Sequence, residues 1–149
     1  MPNMKQEITQ AIRDYLSNSN RYRIVILQSP DLLPDENIIW NVGRQLADFL
    51  KDNKESSTLS EEFADKCKSL ALEHVTHIDD IDKCLFIANF GVLFEPLLQF
   101  DANSFIRKLS QNNTVILCSN TLLTNDKLYI SQAESPYYID LQDINYLAL

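Results

Sequence analysis

Two spacings of apolar residues divide this chain into predicted helices and strands. Apolar residues recur every three or four positions in four segments, which predicts amphipathic helices over about 4–18, 36–53, 60–74 and 102–110. Continuous apolar runs rich in β-branched residues predict strands covered on both faces at 24–27, 84–89 and 114–118. The segments KLYI (127–130) and YYIDL (137–141) add two short edge strands.

The order of these elements predicts the fold class. A strand, two helices, a strand, a helix and a strand follow one another, as in layered α/β proteins. Apolar strands separated by helices favour a mostly parallel sheet with right-handed crossovers, flanked by helices in three layers. A length of 149 residues suits one domain, 1–149.

The loop SPDLLPDE joins the first strand to the next predicted helix, the layout of a phosphate-binding P-loop. Against the pattern GxxxxGK[ST], Ser29 and Pro34 stand at the glycines, Asp35 at the lysine and Glu36 at the hydroxyl residue. Asp35 is negative where a phosphate needs a positive group, and Pro34 lacks an N–H donor. The chain has only two glycines, Gly43 and Gly91, which excludes a glycine-rich cradle. The loop is therefore either a decayed P-loop or an unrelated strand-loop-helix unit.

A second stretch, 83–138, carries a family resemblance. LFIANFGVLFEPLLQFDANSFIRKLSQNNTVI and LYISQAESPYY are similar to the Walker B segment, the Asp-Pro motif and the C-terminal motifs of BrxF, the P-loop-type protein of BREX phage-defence systems. The matching residues are Asn89, Leu93, Phe94, Pro96, Asp101, Leu109, Ser110, Asn112, Thr114, Val115, Leu128, Pro136 and Tyr138.

The same comparison shows where this chain departs from that family. At the degenerate Walker B positions, Ala88 replaces the magnesium-coupled Asp, and Gly91 replaces the acid that follows Asn89. Ser135 and Tyr137 replace a His and a Glu. The resemblance thus implies a degenerate P-loop NTPase-like domain that binds no cofactor or metal. It also implies a non-catalytic assembly subunit of a bacterial BREX-type defence system, bound to other defence proteins or to copies of itself.

The net charge of −8 indicates which classes of partner this chain can bind. Nucleic-acid binding draws its affinity from basic groups, and no basic stripe occurs here, so we expect no direct nucleic-acid contact. A basic, DNA-handling partner subunit is easier to accommodate. Two alternatives stand beside the assembly role. One is an NTPase completed by Arg44, Arg107, Lys108 or a neighbouring subunit, and the other is an acidic DNA mimic.

Other residue patterns favour ordinary structural roles. Three isolated cysteines, Cys67, Cys84 and Cys118, indicate buried, reduced thiols in a cytoplasmic protein. We expect neither export nor membrane insertion, since the N-terminal segment has no signal-peptide core and no apolar run reaches about 18 residues. The segment EHVTHIDDID (73–82) could place two histidines on one helix face as metal ligands, but a solvated acidic loop is favoured. Neither histidine lies in a nucleophile motif, so we expect no hydrolase chemistry.

Six aromatic residues are candidates for partner contact: Trp40, Phe90, Phe94, Phe100, Tyr137 and Tyr138. Large aromatic side chains dominate both protein cores and interface hot spots. The alternative is packing in the chain's own core, which we favour for Trp40 and, by a smaller margin, for the apolar segment 90–100.

Overall fold

The computed structural model describes residues 5–149 and contains helices on both sides of a central sheet. The helices are α1 (Gln6–Leu16), α2 (Val42–Asn53), α3 (Leu59–His74) and α4 (Ala102–Asn112). The strands are β1 (Ile24–Leu27), β2 (Ile39–Asn41), β3 (Thr76–Ile78), β4 (Ile81–Ala88), β5 (Thr114–Cys118), β6 (Leu123–Thr124), β7 (Lys127–Tyr129), β8 (Tyr138–Asp140) and β9 (Leu147–Ala148). Of the helix predicted over about 4–18, residue 4 lies outside the described part of the chain.

The larger sheet is mostly parallel, which confirms the predicted α/β class. Its strand order is β2-β4-β5-β1-β9, and β3 pairs antiparallel with the first half of β4. The three central strands pair in one register, with Val115 opposite Leu85 on one side and opposite Ile24 on the other. Every residue of β1 and β5 is buried, because helices or the smaller sheet cover both faces.

Successive residues of β1 point to opposite faces of the sheet and join two separate cores. Val25 and Leu27 pack with α1 on one face, whereas Ile24 and Ile26 pack with α2, α3 and α4 on the other. The smaller antiparallel sheet, β6-β7-β8, lies on the second face, where Leu128 belongs to the same core as α3 and α4. The three predicted layers are therefore present.

Tyr15 fixes α1 to the start of β1. Its hydroxyl accepts a hydrogen bond from the Ile24 amide (3.0 Å) and donates to the carbonyl oxygens of Asn145 (2.7 Å) and Tyr22 (3.1 Å). Burial raises the pKa of this phenol above its ordinary value. The hydroxyl thus joins α1, the first residue of β1 and the segment before β9.

The prediction of one helix over 36–53 is wrong for residues 36–41. A short 3₁₀ turn (Glu36–Ile38) leads into strand β2, and α2 begins only at Val42. β2 pairs with the end of β4, Ile39 opposite Phe86 and Asn41 opposite Ala88. Asn41 then ends the strand by capping α2, its side chain accepting from the Arg44 amide at 3.0 Å. Ile38 and Ile39 are spaced from the apolar residues of α2 as in one helix. The chain forms a strand there instead, because the edge of β4 offers hydrogen-bonding partners to β2.

The other predicted elements are confirmed with small changes. The helices at 60–74 and 102–110 correspond to α3 and α4, and the two C-terminal strands pair with each other in the smaller sheet instead of extending the larger one. The apolar segment after β4 forms two 3₁₀ turns, Gly91–Phe94 and Pro96–Leu98. None of the described helices is long and apolar enough to cross a membrane.

Candidate functional site

A crevice of about 410 Å³ opens at the carboxyl ends of β1, β4 and β5. The chain leaves β1 over the α1 face towards β2 and leaves β5 over the opposite face towards β9. Ligands of open α/β sheets bind where neighbouring strands diverge in this way. The volume lies in the range of small-molecule sites, about 300–1,000 Å³. The crevice is therefore the candidate functional site.

Three loops line the crevice. The lining residues are Leu27, Gln28, Ser29 and Leu33 after β1, Asn89, Phe90 and Gly91 after β4, and Cys118, Ser119, Asn120, Thr121 and Ile130 at and after β5. Among the described lining residues, none has a charged side chain. Several of the polar groups hydrogen-bond to one another, since Gln28 donates to the Thr121 carbonyl (2.8 Å) and the Ser119 and Thr121 hydroxyls lie 2.7 Å apart. The crevice offers amides and hydroxyls but no charge to a ligand.

The four positions compared with a phosphate loop do not converge on this crevice. Ser29 lines it, whereas Pro34 is buried, and Asp35 and Glu36 face solvent outside the lining. The Asp35 carboxylate accepts a hydrogen bond from the Asn37 amide (2.9 Å) and so caps the 3₁₀ turn before β2. The expectation that Asp35 stands at the phosphate position is wrong, because the chain after β1 forms an extended crossover to an edge strand.

The degenerate Walker B positions join two elements. Ala88 ends β4, and Asn89 adopts a left-handed conformation with φ 53°. The Asn89 side-chain amide donates to Asn41 Oδ1 (2.9 Å), and the Asn89 backbone carbonyl accepts from the Gly43 backbone amide (3.0 Å). A Cβ atom at Gly43 would lie 2.6 Å from Asn89 Nδ2, so this approach requires glycine. Asn89 thus fixes the end of β4 against the start of α2 at the rim of the crevice.

The aromatic contact candidates separate into buried and accessible residues. Trp40 is fully buried, stacks on His74 with ring centroids 6.2 Å apart and contacts Phe105 edge-on; Phe90 is also buried. A role for these two in partner contact is wrong, because their rings belong to the core. Phe94, Phe100 and Tyr138 are half-buried, and Tyr137 is 39% exposed and packs on Phe94.

The histidines of segment 73–82 do not share a helix face. His74 ends α3 and its Nδ1 lies 2.7 Å from the Leu70 carbonyl, whereas His77 lies in β3 with Nδ1 3.6 Å from Asp82. Arg13 of α1 binds Asp80 with both contacts under 3 Å and lowers the pKa of that carboxyl. No group of three metal-ligating side chains occurs in the described part of the chain.

The three cysteines are buried and free, as the sequence predicts. Cys67 lies in α3, Cys84 in β4 and Cys118 at the end of β5, where it borders the crevice. Burial raises the pKa of each thiol to about 12. Because the thiolate is the reactive form, none of them is an activated nucleophile.

Comparison of the chain with protein-family models, with curated proteins and with solved structures gives no match.

Proposed function

We propose that this chain is a non-catalytic, P-loop-like assembly subunit that has the strand framework of a nucleotide-binding domain and no nucleotide site. The resemblance of residues 83–138 to BrxF supports a place for it among the proteins of a BREX-type phage-defence system. Its partners would be other proteins of that system, including basic DNA-handling subunits, or copies of itself. A fold can keep its framework while a site is lost, since the two depend on different residues.

The observation that carries this proposal is the chemistry of the crevice. A triphosphate requires cations or several aligned N–H donors, which P-loop proteins supply from a lysine, a magnesium ion and a helix N-terminus directly after the first strand. Here β1 is followed by a crossover to β2 that contains only short 3₁₀ turns, so no α-helix begins directly after the first strand. Among the described residues, none lining the crevice supplies a positive charge or a carboxylate for magnesium.

The basic residues that could supply the missing positive charge of an NTPase site lie outside the crevice. Arg44 is in the first turn of α2, exposed to solvent, and outside the crevice lining. Arg107 donates to the Asp140 carbonyl at 3.2 Å. Lys108, also on α4, lines a depression between α3 and α4. The geometry therefore favours the assembly role over NTP hydrolysis. The three buried thiols, free in the structure, support a reducing, cytoplasmic setting for this role.

Titration calorimetry with ATP and GTP, with and without Mg²⁺, tests the proposal. We expect no heat and no thermal shift up to about 1 mM nucleotide, a limit of about −4 kcal/mol in binding free energy. Magnesium-dependent binding in the micromolar range would overturn the assembly role. A paired test in cells compares phage plating with and without this gene beside its neighbouring defence genes, and unchanged plating would remove the defence role.

A further inference from the structure

A groove about 950 Å³ in volume lies between α3 and α4. Its apolar lining consists of Ala64, Leu72, Val75, Phe100, Phe105 and Leu109. Leu72 of α3 is 60% exposed and adds its side chain to this apolar lining. We call this surface the α3–α4 groove.

The two helices that form the groove run in the same direction. Phe63, near the start of α3, packs against Phe100, just before α4, with ring centroids 5.3 Å apart. At the other end, α3 leads to Thr76 and α4 leads to Thr114, and both of these residues pair with Cys84. The groove thus has one end at the helix N-termini and one at the helix C-termini.

Charges are separated along this groove. Three acids, Glu61, Asp65 and Asp101, border its N-terminal end. Three lysines, Lys68, Lys83 and Lys108, border the part nearer the C-terminal end. All six side chains belong to exposed residues. The charges of these six residues cancel, although the whole chain carries −8.

We propose that the α3–α4 groove is the contact surface for a second copy of this chain in a two-fold symmetric dimer. A two-fold axis that lies in the contact plane and crosses the middle of the groove at right angles to the helices places the acidic end of each copy opposite the lysine end of the other. A surface with opposite charges at its two ends is therefore self-complementary, as a symmetric dimer interface must be. Leu72 of each copy then projects into the apolar floor of the other groove.

The net charge of the molecule favours association through a locally neutral face, and the α3–α4 groove is one such face. Two chains of charge −8 repel each other over most orientations, and the repulsion is smallest where the approaching faces are locally neutral. The inference deepens the proposed assembly function, because it names one partner and the surface that binds it.

Sedimentation velocity from about 1 μM to 1 mM chain, a range that brackets weak association, tests the dimer. The basic-end variant Lys68→Glu/Lys108→Glu makes both ends of the groove acidic, and the acid-end variant Glu61→Lys/Asp65→Lys makes both ends basic. Each variant alone should dimerise at least about tenfold more weakly than the natural chain, since like charges then face each other. An equimolar mixture of the two should restore dimers, because the opposite charges are paired again.

A matched control changes the same charge away from the groove. Lys51→Glu/Lys54→Glu lies at the exposed end of α2 and should leave dimerisation unchanged. Circular dichroism of every variant checks that the helices remain, and recovery of dimers in the mixture rules out loss by unfolding.

Three outcomes would overturn the dimer: a monomer at all concentrations, a dimer unaffected by either groove variant, or a mixture that stays monomeric. A monomer that binds no nucleotide would leave the proposed function standing. Nucleotide binding would remove that function whatever the oligomeric state.

Discussion

Alkaline pH should destabilise this protein through its three buried thiols. Burial raises the pKa of Cys67, Cys84 and Cys118 from 9.0 to about 12. Because the folded pKa is raised, the stabilisation is complete below pH 9 and is lost as the pH rises from 9 towards 12. In that window the unfolded chain releases protons that the folded chain retains, which favours unfolding.

The size of the effect follows from the number of protons. Each thiol that ionises only in the unfolded chain lowers the free energy of unfolding by about 1.4 kcal/mol per pH unit. Because only about half of the unfolded thiols are ionised at pH 9, each thiol removes about 1 kcal/mol between pH 9 and pH 10, and three thiols remove about 3 kcal/mol. That is a large part of the roughly 5–15 kcal/mol by which folded proteins are stable.

Urea unfolding at pH 8, 9 and 10 under reducing conditions measures this loss. Trp40 is the only tryptophan and is fully buried, so its fluorescence reports unfolding. The single variants Cys67→Ala, Cys84→Ala and Cys118→Ala should each reduce the dependence on pH by about a third, although each is less stable at pH 8. A flat profile between pH 9 and pH 10, or equal slopes in all four proteins, would refute the reasoning.

Three further predictions concern the start of β1, the contact between Gly43 and Asn89, and position 35. Tyr15→Phe should lower the free energy of unfolding by about 1–3 kcal/mol in urea melts, because the buried Ile24 amide loses its acceptor, whereas Tyr22→Phe should change it little. Gly43→Ala should lower the free energy of unfolding of the natural chain, because the new Cβ atom would lie 2.6 Å from Asn89 Nδ2. In an Asn89→Gly background that contact is absent, and the same substitution should raise the free energy of unfolding by about 0.4–1 kcal/mol. A change of the same sign in both backgrounds would contradict the close approach. Asp35→Lys should not create ATP binding in calorimetry, because position 35 lies outside the crevice, and any gain of binding would show that the loop can still approach a phosphate.

The crossover from β1 to β2 carries Asp35 away from the crevice. The sequence 28–38 has the length and position of a P-loop, but it spans the sheet towards β2 with only short 3₁₀ turns. On that face, α1 covers Val25, Leu27 and Phe86, the surface that a helix following β1 would otherwise cover. α1 thus covers this face of the sheet, and no helix that begins at the crevice is needed to cover it.

Local sequence alone determined the central strands and the later helices. β1, the second part of β4 (84–88) and β5 after Thr114 are continuous apolar runs, which are typical of strands covered on both faces. α3 and α4 have apolar residues on one side, and their existence and approximate limits follow from that spacing. At the start of α4 the cap is also present, since the Asp101 side chain accepts from the Ser104 amide. The buried state of the cysteines follows in the same way, because each lies within such an apolar pattern.

Only the tertiary structure decided the short elements and the composition of the site. β2, β3 and β9 have two or three residues each, too few for a periodic pattern, and they exist because a neighbouring strand offers unpaired N–H and C=O groups. The crevice joins residues from three loops that are up to about a hundred positions apart in the chain. Asp35 and Asn89 show the same limit, since the first turns away from the crevice and the second reaches it only after the strands are placed side by side. Apolar spacing reports which residues are buried, whereas strand order and crossover direction determine which loops meet.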